Sequence, residues 1–404
     1  MPTPIYGIGC GSTSTPDTSS ASYCPLQTSK GIRFNTTETT DTSDVVATAG
    51  IISNLYVKLT NAPNTGKSWV VALRVNGVTT TLTCTIADGA TTGSDVAHTI
   101  SVAAGDKVGY IWTPSSTPDA SGAVYVSSLF SGTASNESIT VAGTGTATPG
   151  TGSTSYIGLC GKDNSGTTEA QHNTIVPTAG TFTKLYVEVS VAPGVGKSWA
   201  FTLMKNGSAT GITCTIADTA TAANDTAHTA TCVATDKIYL KAVPSGTPAS
   251  ATMKYGTCFV PTVSGESIIS SIVLGSGISA AGTTYGYLVG GATNDFTATE
   301  AQHGYLSQPK VIVKNIYIDL DTAPGASKSW QFALREAGST SAITATVSDA
   351  ATTATTSANV QLSANEVLNL ISVPTGTPTD PGYARIAMTS SLASITGQMF
   401  QLFE

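Results

Sequence analysis

One segment occurs three times. GKSWVVALRVNG at residues 66–77 returns as GKSWAFTLMKNG at 196–207 and as SKSWQFALREAG at 327–338. Its tryptophans, Trp69, Trp199 and Trp330, stand 130 and then 131 residues apart. A period of about 20 to 50 residues would signal a solenoid or propeller whose units lean on one another for a core. A period of this length matches a whole domain able to bury its own. The 404-residue chain is therefore read as three tandem units, with boundaries at 1–148, 149–278 and 279–404.

Each unit alternates apolar and polar residues in short runs. ISNLYVKLT (52–60), FTKLYVEVS (182–190) and VKNIYIDLD (313–321) alternate with period two, the signature of a half-buried strand. An Ala-Pro turn follows, and then the repeated segment, in which Trp69, Val71 and Leu73 share one face, as do Trp199, Phe201 and Leu203, and Trp330, Phe332 and Leu334. Trp69, Trp199, Trp330, Leu73, Leu203 and Leu334 are thus the candidate core. The segment ends on Asn76-Gly77 or Asn206-Gly207, a dipeptide suited to a tight hairpin turn, of which the third copy keeps only Gly338. A short Tyr/Gly strand around Tyr6, Tyr156 and Tyr285 is expected to open each unit. With about eight strands in roughly 125 residues and no sustained helical period, the fold class is all-β: three tandem antiparallel β-sandwiches of jelly-roll type.

The links at 144–155 and 275–284 are rich in Gly, Ser and Thr. Flexible linkers of this length span only about 20 Å, so the units must touch.

Charged residues make up 11% of the chain, and the net charge is −7. With no Lys/Arg cluster, nucleic acid is not an expected partner. No run is long and apolar enough for a membrane helix, and the N-terminal residues lack the apolar core of a signal peptide. A protein made and kept in a cytoplasm, or assembled there and released by lysis, is the expectation.

The seven cysteines show no paired spacing and no CxxC. Read through the repeat, Cys10 and Cys160 match Val289; Cys84 and Cys214 match Ala345; Cys232 matches Val102 and Leu362; Cys258 matches Ser128 and Met388. Such positions suit packing rather than a disulfide framework or zinc. Cys24 stands apart, in what reads as an insertion of the first copy.

LYVKLTNAPNTGKSWVVAL, NG, TCTIADGAT and PSSTP, with their versions in the other copies, resemble the jelly-roll repeat domains of bacteriophage virion proteins of tail-fibre and head-fibre types. The resemblance covers about three quarters of the chain and rests on fold-shaping residues. It implies a tumour-necrosis-factor-like jelly roll. Such domains commonly form threefold trimers, so one chain with three of them is expected to fold as an intramolecular pseudo-trimer, the alternative being a linear rod.

Candidate chemistry is sparse. Asp88, Asp95 and His98 recur as Asp218, Asp225 and His228, a set able to hold a divalent ion. The third copy lacks the histidine and the second aspartate, so aspartates bonding their own turns are preferred, and no metal or other cofactor is expected. Glu169 and His172, and Glu300 and His303, recur in TEAQH, which has no evident counterpart in the first copy. With no nucleophile or third ligand beside them, these loops are read as an interface between units or subunits and not as a catalytic pair. Lys67, Lys197 and Lys328 precede the tryptophans and are placed to stack on the indoles.

Together these features predict a non-enzymatic virion structural protein, assembled in the host cytoplasm. It would be a capsid decoration or head-fibre protein whose partners are the major capsid protein or other virion proteins, with self-association as a further expectation. One alternative is a tail fibre binding a host-surface glycan, with Trp112 as a contact; another is a bacterial adhesin or surface-layer protein.

Overall fold

The computed structural model describes residues 5–12, 15–27, 34–39, 42–119, 122–134, 136–142, 147–159, 165–274, 277–289, 296–308 and 311–392. The first unit contains β1 (Ile5–Ser12), β2 (Ser22–Pro25), β3 (Asp44–Val45), β4 (Gly50–Leu59), β5 (Asn64–Val75), β6 (Val78–Asp88), β7 (Thr92–Val102), β8 (Lys107–Ser115) and β9 (Val124–Gly132). The second repeats the series as β10 (Ser138–Ala142), β11 (Ser155–Gly158), β12 (Thr174–Ile175), β13 (Gly180–Val189), β14 (Gly194–Lys205), β15 (Ser208–Asp218), β16 (Ala222–Cys232), β17 (Lys237–Ser245) and β18 (Met253–Pro261). The third comprises β19 (Glu266–Leu274), β20 (Thr284–Gly286), β21 (Tyr305–Leu306), β22 (Val311–Leu320), β23 (Gly325–Glu336), β24 (Ser339–Asp349), β25 (Thr353–Gln361), β26 (Val367–Thr375) and β27 (Tyr383–Leu392).

Each unit is a two-sheet antiparallel sandwich. In the first, one sheet runs β1-β9-β4-β7 and the other β2-β8-β5-β6, with β3 also on β8, and the other units repeat this order. Apart from the β5–β6 hairpin, the chain from β4 to β9 crosses between the sheets at each step, and the first and last strands, β1 and β9, pair, which is the double Greek key of a jelly roll. The repeated segment forms β5, β14 and β23, with Trp69, Trp199 and Trp330 at 1%, 0% and 0% exposure. Each indole N–H donates to a loop carbonyl, of Asp119, Gly150 and Thr379 respectively, at 3.2, 2.9 and 3.0 Å. Leu73, Leu203 and Leu334 are fully buried beside them.

The hairpin turns after β5, β14 and β23 place both central residues at positive φ: Asn76 and Gly77, Asn206 and Gly207, and Ala337 and Gly338. The first two copies use the residue types that such a turn favours. The third forces an alanine into the left-handed region.

Strand pairing corrects the repeat register in four places. The counterpart of Tyr156 and Tyr285 is Tyr23 and not Tyr6: Tyr23 bridges to Asn35 as Tyr156 does to Gly166 and Tyr285 to Thr297. Cys24 therefore lies within β2, fully buried, and is not part of an insertion. β1 corresponds to β10 and β19, which pair with the last strands of their units. The seams between successive units consequently fall between β9 and β10 and between β18 and β19, upstream of the 148 and 278 boundaries, because SITVA and ESIISSIVL open the next sandwich.

Cys258, finally, shares its place with Leu129 and Thr389, one residue on from Ser128 and Met388. Facing positions show the slip, since Ser53 pairs with Leu129, Thr183 with Cys258 and Lys314 with Thr389 around a bulge. The described cysteine side chains, Cys24, Cys84, Cys214, Cys232 and Cys258, are free and buried. Burial pushes the thiols of Cys84, Cys214 and Cys258 up to about 12 and that of Cys232 to about 11. The Cys10 side chain and Cys160 lie outside the described residues.

The three sandwiches close into a ring. β3 of the first packs on β18, β13 and β10 of the second, β12 of the second on β19 and β27 of the third, and β21 of the third on β1, β9 and β4 of the first. A rod would leave the third unit away from the first. The buried apolar residues of the second and third sandwiches run together as one cluster, while the first keeps its own. Fully separate cores, expected from the period, are thus found only for the first unit, because β19 brings buried Ile268 and Ile269 against β12 of the unit before it.

Candidate functional site

The recurrent aspartates and histidines divide into two structural devices. The Asp88 carboxylate accepts the Gly66 N–H, Asp218 the Gly196 N–H and Asp349 the Ser327 N–H, each at 2.7 Å. This contact occurs in all three copies and pins the bend at the start of the tryptophan strand. Asp95 and Asp225 serve a different bend, a bulge in β7 and β16. Asp95 accepts from the N–H groups of Thr83, Ala97 and His98, at 3.0, 3.1 and 3.1 Å, and meets His98 Nδ1 at 2.9 Å. Asp225 repeats the pattern with Thr213, Ala227 and His228. Burial would raise both carboxyls, but these hydrogen bonds outweigh it and leave them below the usual carboxylate range.

In the third copy the corresponding bulge is one residue shorter. Leu55 and Ser53 face Asp95 and Thr99, whereas Ile316 and Lys314 face Thr356 and Asn359. Aspartate and histidine disappear together there because the bend they hold is smaller. Among the described residues, no three His, Cys, Asp or Glu side chains come together as a metal-binding group.

The TEAQH loops form short 3-10 turns at Glu169–Gln171 and Glu300–Gln302. His172 and His303 are 1% and 3% exposed, the former bonded through Nδ1 to the Thr168 carbonyl and the latter 4.7 Å from the Tyr287 ring centroid. The first copy does have a counterpart for the glutamate. Glu38 pairs with Arg74 as Glu300 pairs with Arg335, at 2.6 and 2.7 Å, and Glu169 accepts instead from the Tyr239 hydroxyl. Arg74 and Arg335 also cover the rings of Tyr23 and Tyr285 at 5.2 and 5.3 Å. These are the cation–π contacts among the described residues; the stems of Lys197 and Lys328 lie beside Gly246 and Gly376. Trp112, a candidate sugar contact, is fully buried, edge-on to Trp69 and Phe34.

The densest polar chemistry lies in the seams between sandwiches, at three equivalent positions. Tyr125, Lys254 and Arg385 stand opposite Lys58, Glu188 and Asp319 on the neighbouring strand of their own sheet. Each reaches into the adjoining unit: Tyr125 Oη to the Ala301 carbonyl at 3.2 Å, Lys254 Nζ to Ser43 Oγ at 2.8 Å, and Arg385 to the Ala170 carbonyl at 2.7 Å. The TEAQH loops are therefore seam elements, receiving Arg385 and Tyr125 on their alanine carbonyls.

Lys254 and Arg385 are only 1% exposed. Arg385 is held by Asp319 at 3.1 Å and Asp321 at 2.6 Å, which offsets the cost of burying its charge. Ion pairs also cross directly between units, Lys107 with Glu188 and Lys237 with Asp319, each at 2.7 Å. Lys184 bridges Glu137 and Thr48 at the first seam, and Thr48 also bonds Glu137.

The closing seam is built differently. Lys58 replaces the acid and Val367 the cross-seam lysine. Lys58 donates to the Asn365 carbonyl at 3.0 Å, and Gln308 donates to the Asn54 carbonyl and Ser127 Oγ. Ala123, Tyr125 and Leu306 form a small apolar cluster beneath. Clefts of ≈ 340 and ≈ 470 Å³ open at the first and closing seams.

None of these seam residues except Glu169, His172, Glu300 and His303 was singled out from sequence. In the sequence they occupy outward strand positions, alternating with core residues such as Val126, Tyr255 and Ile386, and only the ring explains their burial. No protein-family model matches the chain, and no curated relative is found for it by sequence.

Proposed function

We propose that the chain is a non-enzymatic virion structural protein of a bacteriophage, a capsid decoration or head-fibre protein that binds the shell and braces or coats it. The closed ring of three linked jelly rolls is the observation that carries this reading. A shell of repeated subunits presents local threefold positions, and a pseudo-threefold body complements such a position in shape. Covalent linkage supplies three units at fixed stoichiometry and lets each diverge, as their unlike seams illustrate. Ion pairs join the units at the first two seams, Lys107 with Glu188 and Lys237 with Asp319, and so face the neighbouring sandwich within the ring. The outer strands present hydroxyls such as Thr79, Thr81, Thr83 and Thr85 of β6, all exposed. The major capsid protein or another virion protein is the partner this reading requires, and the virion its location.

The resemblance of the tryptophan, Asn-Gly and Thr-Pro segments to phage jelly-roll repeats supports the same reading. A tail-fibre role with glycan binding is the less favoured alternative, since burial of Trp112 removes its named aromatic contact. The test is sedimentation of purified protein with intact particles. Saturable binding at a fixed ratio per shell supports the proposal; recovery only in the unbound fraction, together with binding on a glycan array, supports the alternative.

A further inference from the structure

We propose that the face of the first sandwich carrying Lys58 and Tyr125 is a selective docking surface that accepts the third sandwich and rejects the other two. Each unit has a downstream face, marked by Lys107, Lys237 or Val367, and an upstream face, marked by Lys58, Glu188 or Asp319. The register establishes the equivalence: Lys107, Lys237 and Val367 stand opposite Val45, Ile175 and Leu306.

The first two seams match lysine to acid, Lys107 to Glu188 and Lys237 to Asp319. Their downstream faces are electrically interchangeable. If either met the first sandwich's upstream face, it would set a lysine against Lys58. The acids beside those lysines would not help, because Asp106 and Asp236 are already engaged by Asn76 and Asn206, each at 2.7 Å. In the third unit Ala337 stands in place of that asparagine, and Glu366 lines the cleft with Lys58. Val367 brings no charge. Lys58 therefore donates to a carbonyl there, in a cleft that Glu366 also lines, and would face a lysine anywhere else.

Exposed ion pairs attract weakly, so discrimination comes from the rejected pairings. The arrangement excludes a ring of first units and a two-unit ring closed by the second on the first. It also disfavours chains joining through mismatched faces, while the short links favour closure within one chain. The inference concerns assembly of the ring and stands whether or not the protein binds a shell.

The test uses the full chain and compares Lys58→Glu, Lys58→Met and Lys58→Glu with Val367→Lys, measuring molar mass by light scattering across a concentration series. Lys58→Glu makes the first upstream face resemble the other two, and the mass is expected to rise from one chain toward two or more with concentration. Lys58→Met removes the repulsion without adding an attraction and is expected to associate more than wild type and less than Lys58→Glu; a Lys58→Met protein that stays at one chain as wild type does would show that repulsion by Lys58 is not what discriminates. The double variant restores a lysine-to-acid match at the closing seam and returns the mass to one chain. A Lys58→Glu protein that stays at one chain throughout overturns the proposal, as does association that the second substitution leaves unchanged.

Discussion

At the level of single residues, the three copies are internal controls for one another. Ala337 occupies at φ 49° the place of Asn76 and Asn206. An alanine there carries the left-handed penalty without a side chain able to bond locally. Ala337→Asn is expected to stabilise the third sandwich by about 1 kcal/mol, visible as a higher unfolding midpoint. Gly180 faces Phe259 so closely that an added Cβ would lie 2.4 Å from the ring, and Gly50 stands in the same relation to Phe130. In the third copy valine and serine replace the pair, as Val311 and Ser390. Gly180→Val should therefore cost about 1–3 kcal/mol by overpacking, whereas Val311 is native in its own unit. A Gly180→Val protein with an unchanged denaturation midpoint would refute this packing. The tryptophan face was legible because one bulky apolar face recurred in all copies. Trp112 was not, since a tryptophan present once carries no periodic signal.

At the level of elements, the bulges in β7 and β16 are held by Asp95 and Asp225. Asp225→Ala leaves three N–H groups without their acceptor and is expected to cost about 1–3 kcal/mol near neutral pH. The folded-state pKa of Asp225 is depressed, so this contribution is present above the ordinary carboxyl value and is lost as pH falls through the folded one. The stability gap between wild type and Asp225→Ala should narrow below about pH 4, and a gap that is constant down to pH 2 would contradict the assignment. Strand alternation revealed the elements well. It failed at unit starts, where SYCP was passed over for the more repeat-like YGIGCG and where SITVA looked like the end of a unit. Pairing partners over 100 residues away, such as Ser138 and Phe259, decide those cases, and local pattern does not contain them.

At the level of the molecule, ring closure rests on seams whose chemistry differs from one to the next. Arg385→Ala removes the cation between Asp319 and Asp321 and should cost about 3 kcal/mol, near the low end for a broken buried pair because Asp321 reaches solvent. The loss should appear as faster amide exchange in β12 and β27 together, since both line the second seam. Sequence led to three touching sandwiches and to a choice between ring and rod. It could not show which charged residues would be buried, because that depends on which unit each face meets.

The most direct test of the ring is a set of spin-label distances among Thr81, Gly211 and Ala342, equivalent exposed positions in the three sandwiches, changed pairwise to cysteine in a chain whose own cysteines are replaced. A closed ring gives three similar distances. A first-to-third distance much longer than the other two would contradict it.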